Sequence, residues 1–259
     1  MSNDNPFSSS SNPFETPASN FSPHAPGEAV PISPQIFTLD YVVQTTKEIY
    51  MERFAPVFFS TLIFWGVSFV GGLPAQFAQG LMNPELGIVK DEAGLLLMAA
   101  LWFFFYIISL VINVWILAGH TKFLMQVVRG ETENYGVIFS GPNFLSLLGT
   151  SLLYYLMLGF GMVFFILPGI FLFTALWPCI YLVIDDRTNT LGSFGTAWEY
   201  TEGNRLTVFL LALVMILVSL CGLLLCCIGV IFAFPAILLG YVVAYFAITG
   251  QPTFLDARK

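Results

Sequence analysis

The chain has 259 residues, 57% of them hydrophobic and only 10% charged, with a mean hydropathy of +0.81 and a formal net charge of −7. A soluble domain of this length needs a far more polar surface, so a water-soluble globular fold is excluded. The acidic charge is scattered and says little about partners; the bilayer is the expected partner, and no nucleic acid is.

Residues 1–35 hold eight Ser, seven Pro and four Asn. Such a segment buries too little apolar area to offset its chain entropy, and it reads as a disordered cytoplasmic tail. Asn-Pro-Phe occurs in it twice, as Asn5-Pro6-Phe7 and Asn12-Pro13-Phe14. Asn starts a turn, Pro fixes φ, and Phe is presented outward. Two copies on one flexible tether gain by effective concentration. These six residues are the candidate partner-binding site for a cytoplasmic protein; the alternative is a polar cover. The tail has no basic n-region, so a cleaved signal peptide is not expected.

At residue 36 the pattern turns helical. Leu39, Val42, Val43, Thr46, Ile49, Tyr50 and Phe54 share one face, and Asp40, Gln44, Lys47, Glu48 and Glu52 share the other. This predicts an amphipathic helix over 36–54, either in the headgroup region or packed on the protein itself. Two further juxtamembrane pieces follow the same plan. One carries Tyr135, Ile138 and Phe139; the other lines up Leu191, Phe194, Ala197, Trp198 and Thr201.

Four stretches carry no Asp, Glu, Lys or Arg: 54–84, 93–121, 134–184 and 206–255. A membrane helix needs roughly 20 apolar residues. The first two stretches hold one span each and the last two hold two each. The expected spans are about 55–75, 95–119, 143–164, 168–184, 205–226 and 228–249. The fold class is therefore all-α, a polytopic membrane protein with six transmembrane helices. Its parts are the tail (1–35), a six-helix membrane domain (36–250) and a short cytoplasmic C-terminus (251–259).

With six spans, Lys47, Arg53, Lys122, Arg129, Arg187, Arg205, Arg258 and Lys259 fall on the side of both termini, and only Lys90 falls opposite. The positive-inside rule puts both termini in the cytoplasm. Offsetting the chain by 61 residues pairs Asn143 with Asn204, Leu145 with Leu206, Gly161 with Gly222, and Ile170-Phe171 with Ile231-Phe232. A two-span unit restarts on the same side, so the repeats are parallel helical hairpins, with 37–119 as a candidate third, diverged unit.

Catalytic signatures are missing. His24 lies in the tail and His120 at the inner end of span two; no nucleophile elbow, zinc-protease or phosphate-loop motif occurs. No catalytic residue, cofactor or metal is expected, and the chain does not read as an enzyme. Cys179, Cys221, Cys226 and Cys227 read as small apolar packing groups. Asp185-Asp186-Arg187 reads as a solvated helix end. Asn113 is expected to bond between helices, Ala236, Gly240 and Ala244 to form a packing stripe, and Pro178 and Pro235 to kink their spans.

The segments "KFLMQVVRGE", "FILPGIFLF", "AWEYTEGNRL" and "GLLLCCIGVIFAFPA" together resemble a six-helix bacterial membrane family related to the membrane domain of glycerophosphoryl diester phosphodiesterases. The resemblance covers about 40–250. It implies a six-helix architecture and a bacterial inner (plasma) membrane. In the enzymatic members a separate soluble barrel carries catalysis; these 259 residues show none, so that activity is not expected here. The tail alone is similar to the Asn-Pro-Phe repeats of secretory carrier membrane proteins. The expected function is a non-enzymatic integral membrane protein that organises or shapes membrane, its tail docking a soluble partner. The alternatives are a permease for a lipid or small amphiphile, or an accessory subunit of a lipid enzyme.

Overall fold

The computed structural model describes residues 32–83, 91–164, 166–224 and 228–258. The tail with Asn5, Pro6, Phe7, Asn12, Pro13 and Phe14 lies outside them, as do Lys90, Cys226, Cys227 and Lys259. Among the described residues the chain is built of α-helices and short 3₁₀ turns. In hydrocarbon every backbone N–H and C=O must be satisfied within its own segment, and the helix does this locally.

The helices in chain order are α1 (Leu39–Glu52), α2 (Phe54–Leu81), α3 (Glu92–Arg129), α4 (Phe144–Phe164), α5 (Ile166–Leu176), α6 (Pro178–Ile184), α7 (Thr190–Thr201), α8 (Arg205–Leu224) and α9 (Ile228–Thr249). A 3₁₀ turn spans Tyr135–Phe139. Counting α5 and α6 as one run, six segments are long and apolar enough to cross a membrane. Polar side chains set where helices begin. Thr38 Oγ1 accepts from the Tyr41 N–H (3.3 Å), Asp91 Oδ1 from Gly94 (2.9 Å) and Asn189 Oδ1 from Gly192 (2.8 Å). Pro178 interrupts the fourth span at Trp177, as its missing N–H requires, whereas Pro235 sits within a continuous α9.

Three hairpins emerge: α2–α3, α4–α5/α6 and α8–α9. Each ends on the same cap. Gly130 (φ 75°), Asp186 (φ 61°) and Gly250 (φ 66°) are left-handed. The next residue in each case donates back five residues: Glu131 to Gln126 (3.0 Å), Arg187 to Leu182 (2.9 Å) and Gln251 to Phe246 (2.9 Å). This is the Schellman arrangement, used three times. A third parallel unit, 37–130, is thereby present. Aligned on the caps, Arg129, Asp185 and Thr249 are equivalent, and so are Gly119 and Ala175.

The units close a ring. α4 packs on α3, α8 on α5, and α2 returns to α9. Each connecting element lies on the second helix of the unit before it. The 3₁₀ turn runs along α3, α7 crosses α5 and α6, and α1 runs along α9, where the Tyr50 hydroxyl donates to the Phe232 carbonyl (2.9 Å). α1 thus packs on the protein itself, through Val42, Thr45, Thr46 and Ile49, while Val43 and Met51 face outward. α7 buries Ser193, Ala197, Tyr200 and Thr201 and turns Leu191 and Trp198 outward. In both helices the buried face is rotated from the apolar stripe in the sequence, because small and hydroxyl residues fit the close helix crossing.

The extended residues 32–37, residues 250–258 and the connecting elements gather at one end, which we call the basic end. Ser33 N–H donates to Thr249 O (3.0 Å), Gln35 to Ile248 (3.0 Å) and Phe254 to Val128 (2.9 Å). Asn204 bridges the ring, its amide donating to Gln35 O (2.7 Å) and its carbonyl accepting from Phe37 N–H (3.1 Å). The packed core sits toward this end. In α3 burial begins only at Val114, and in α4 it stops at Tyr154. α3 has 38 residues against 22 in α9, and α2 has 28 against 20 in α8, so at 1.5 Å per residue the helices of the first hairpin are longer than those of the last by about 24 and about 12 Å. The outer part of the first hairpin carries exposed Leu96, Phe103, Phe69 and Phe77, an apolar surface suited to lipid. The other hairpins tighten at glycines: a Cβ on Gly161 would meet the Gly169 backbone at 3.0 Å, and one on Gly222 the Gly229 backbone at 3.1 Å.

Gly119 is the tightest of these crossings, because a Cβ there would lie 1.9 Å from the Ile138 carbonyl oxygen. Gly119→Ala should therefore displace the 3₁₀ turn and cost upward of about 3 kcal/mol. Gly66→Ala, with nothing within 4 Å, should be neutral or stabilise by about 0.5–1 kcal/mol. Thermal unfolding of the two purified variants in one detergent checks the contrast.

Candidate functional site

The equivalent ends of α3, α6 and α9 converge on one carboxylate. Asp185 is not a solvated helix end, as its Asp-Asp-Arg context suggests; its side chain is 6% exposed. Oδ1 accepts from Arg129 Nη2 at the end of α3. Oδ2 accepts from Arg187 Nε (3.0 Å), the Tyr245 hydroxyl (3.1 Å) and Gln251 Nε2 (3.0 Å). Gln251 Oε1 in turn accepts from Arg129 Nη2 (2.9 Å), and its amide also donates to Thr249 Oγ1 (3.1 Å). The Arg129 guanidinium lies 5.1 Å from the Phe246 ring centre. Asp186 accepts from the Asn143 amide, which also donates to Val183 O (3.0 Å), so the start of α4 is tied to the end of α6.

Burial alone would raise the Asp185 pKa. The charges of Arg129 and Arg187 and their hydrogen bonds outweigh it and hold the carboxyl below the usual range. Arg129 and Arg187 both bond this one buried carboxylate. The cluster is a structural lock rather than an acid–base pair, since its carboxylate is saturated with donors.

Two further polar features face the core. The His120 ring, fully buried between α2 and α3, stacks on Phe64 with ring centres 5.0 Å apart. Its Nε2 lies 3.3 Å from Thr61 Oγ1 and 3.5 Å from Ser60 Oγ. Both hydroxyls donate to the Val57 carbonyl (2.8 and 3.0 Å), which assigns the proton to Nε2 and makes the hydroxyl oxygens acceptors. Between the start of α6 and α9, Trp177, Tyr181, Tyr241 and Tyr245 form a chain of ring contacts: Trp177 meets Tyr181 edge-on and Tyr241 at a tilt, and Tyr181 stacks on Tyr245. Asn113 bonds within its own helix, to Ser109 O (2.8 Å), not across helices. Gly240 does lie on a packing face, against Met215 and Thr46. Cys179 is buried and Cys221 exposed.

The sequence-predicted Asn-Pro-Phe residues lie outside the described part, so the structure brings none of them to a site. The Asp185 cluster escaped sequence reasoning because Arg129, Asp185 and Gln251 are far apart in the chain. The signal that could have found it is three helix ends sharing one left-handed cap.

Removing the charge of Asp185 takes away the carboxylate that Arg129 and Arg187 share. Asp185→Asn should lower stability by about 3–5 kcal/mol. The depressed carboxyl contributes stability that is fully present above the ordinary carboxylate pKa near 4 and is lost as pH falls through the lower folded value. The native protein should therefore lose thermal stability as pH drops below about 4, and Asp185→Asn should show a shallower acid limb. Melting curves across that pH range measure both.

A scan against protein-family models, a search of curated proteins and a search of solved structures each return no match to this chain.

Proposed function

We propose that this chain is a non-enzymatic integral membrane protein that organises or shapes the bilayer, with its basic end in the cytoplasm. The observation that carries this reading is the asymmetry of the ring. The connecting elements α1, α7 and the 3₁₀ turn lie on the second helices of their neighbours, and the packed core lies toward the basic end. The outer parts of the hairpins pack mainly within each pair. A body wider in one leaflet than in the other favours a curved or locally deformed membrane. The outward side chains Ile36 (83% exposed), Met51 (72%) and Leu191 (75%) supply apolar contacts at the wide end. The longer first hairpin adds a thickness mismatch beside the shorter ones.

All seven described basic residues sit on or within about two turns of the basic end, which by the positive-inside rule supports a cytoplasmic orientation. The resemblance in sequence adds a bacterial inner membrane. The aromatic contacts and buried residues between α6 and α9 support a tightly packed body over a permease.

Reconstitution into vesicles tests the reading. Rising protein content should produce tubules or smaller vesicles in electron micrographs. Met51→Glu with Leu191→Glu should insert equally and remodel less, since both side chains are exposed and leave the core intact. Unchanged vesicle shape together with faster lipid exchange between leaflets would instead identify a permease.

The tail extends the proposal to a soluble partner. Burying a Phe side chain is worth roughly 1.5–3 kcal/mol, so a single Asn-Pro-Phe binds weakly and a pair gains by avidity. Phe7→Ala and Phe14→Ala should each weaken capture of a cytoplasmic partner, and the double change should abolish it. Equal capture by a scrambled tail of the same composition would reduce the segment to a polar cover.

A further inference from the structure

All five arginines of the chain are among the described residues, and four of them pair with carboxylates. Arg53 meets Glu133 (3.0 Å), Arg129 meets Asp185, Arg187 meets Asp185 (3.0 Å) and Arg258 meets Glu52 (2.7 Å). Arg205 is different. No described carboxylate reaches it, although Glu199 and Glu202 precede it closely in the chain. Its Nε is buried and without a hydrogen-bond partner. Two aromatic rings hold it: the guanidinium carbon lies 4.3 Å from the Trp198 ring centre and 4.9 Å from that of Phe171. The two rings meet edge to face, 5.5 Å apart. Arg205 thus occupies an aromatic corner made by α5, α7 and α8.

This corner is built for an anion. Nε itself is covered, but the two Nη groups make no hydrogen bond or ion pair among the described residues, and their in-plane N–H groups match two oxygens of a phosphate. A charge beside hydrocarbon with no counter-ion is costly, and a partner removes the cost. The surroundings identify which kind of phosphate. Leu206 is 70% exposed and Leu191 75%, and Leu210 continues the apolar surface one turn along α8. Trp198, part exposed, has the amphipathic ring that prefers the headgroup level. A free phosphate ion would leave these side chains uncovered, whereas a phospholipid covers them with its acyl chains. The first turn of α8 adds a positive helix end at the same place.

We infer that Arg205, in its corner of Trp198 and Phe171, binds the phosphate of an anionic phospholipid from the leaflet at the basic end. The site is independent of whether the protein bends membrane; it fixes one lipid where the second and third hairpins meet. Phosphatidylglycerol fits better than phosphatidylcholine, because it brings no ammonium group to oppose the guanidinium.

Native mass spectrometry of the full chain, released from micelles holding phosphatidylglycerol, tests the site. Wild type should retain one lipid molecule to higher activation energy than Arg205→Gln, with Arg258→Gln as a control for charge on an exposed ion pair. Arg205→Lys keeps the charge without the fork and should bind roughly tenfold more weakly, the loss of one charge-assisted hydrogen bond. Trp198→Leu should also weaken retention while thermal unfolding stays near wild type. If Arg205→Gln fails to fold, the Lys and Trp198→Leu variants carry the test. Retention equal to wild type in the folded variants would overturn the proposal. So would displacement of the lipid by inorganic phosphate alone, which would make the site one for a soluble anion.

Discussion

Asp185 is the point on which the ring turns. Three second helices end at equivalent positions, and the residues at these ends bring two positive charges, Arg129 and Arg187, to one largely buried place. One carboxylate from the middle unit neutralises part of that charge and draws Tyr245 and Gln251 of the third unit into the same cluster. A buried pair of this kind is a weak source of stability, since desolvation consumes much of its Coulomb attraction. Its value lies in register. A helix that slid by one residue would move its cap off the cluster and leave a buried charge without a partner.

The rest of the architecture follows from repeating that end. Each second helix finishes on a left-handed residue, and glycine takes the conformation twice without strain from a Cβ. Asp186 takes it once, and its carboxylate accepts from the Asn143 amide. The chain then lies along its neighbour before the next hairpin begins. That crossing demands small residues, which is why Gly119 and Ala175 occupy equivalent places. At Ala175 the carbonyl accepts from Thr201 Oγ1 at 2.9 Å, and at Gly119 the Ile138 backbone comes closer than any side chain would permit. Packing between membrane helices has little hydrophobic drive of its own, so such close approaches supply much of the cohesion.

Much of the fold was legible from composition and charge spacing. A run of apolar residues long enough to cross hydrocarbon must become a helix, because no other local structure satisfies its backbone there. Four of the six spans were therefore readable within two residues, whereas α2 and α3 run six and ten residues past the expected ends; two of the parallel units could be seen at a fixed offset. The third could not, because α2 and α3 are longer and a fixed offset slides out of register; the caps at Gly130, Asp186 and Gly250 align all three. The apolar stripe of α1 was readable as a helix face, but not its covering. Val42 and Ile49 are buried whereas Val43 is exposed, and only the neighbouring helices decide which edge of a broad stripe is buried.

The sequence alone determined the element type, the number of spans and the side on which the basic residues gather, since these depend on local hydropathy and charge. Tertiary structure decided which charges are paired. Asp185-Asp186-Arg187 reads as a polar turn in isolation, and Arg205 reads as one more basic residue after a loop. In the folded chain the first is a closed ion cluster and the second a guanidinium left on two rings. The physical reason is distance along the chain. Arg129, Gln251, Phe171 and Trp198 reach these residues only after the hairpins have closed their ring, and no local pattern records which helix will arrive beside which.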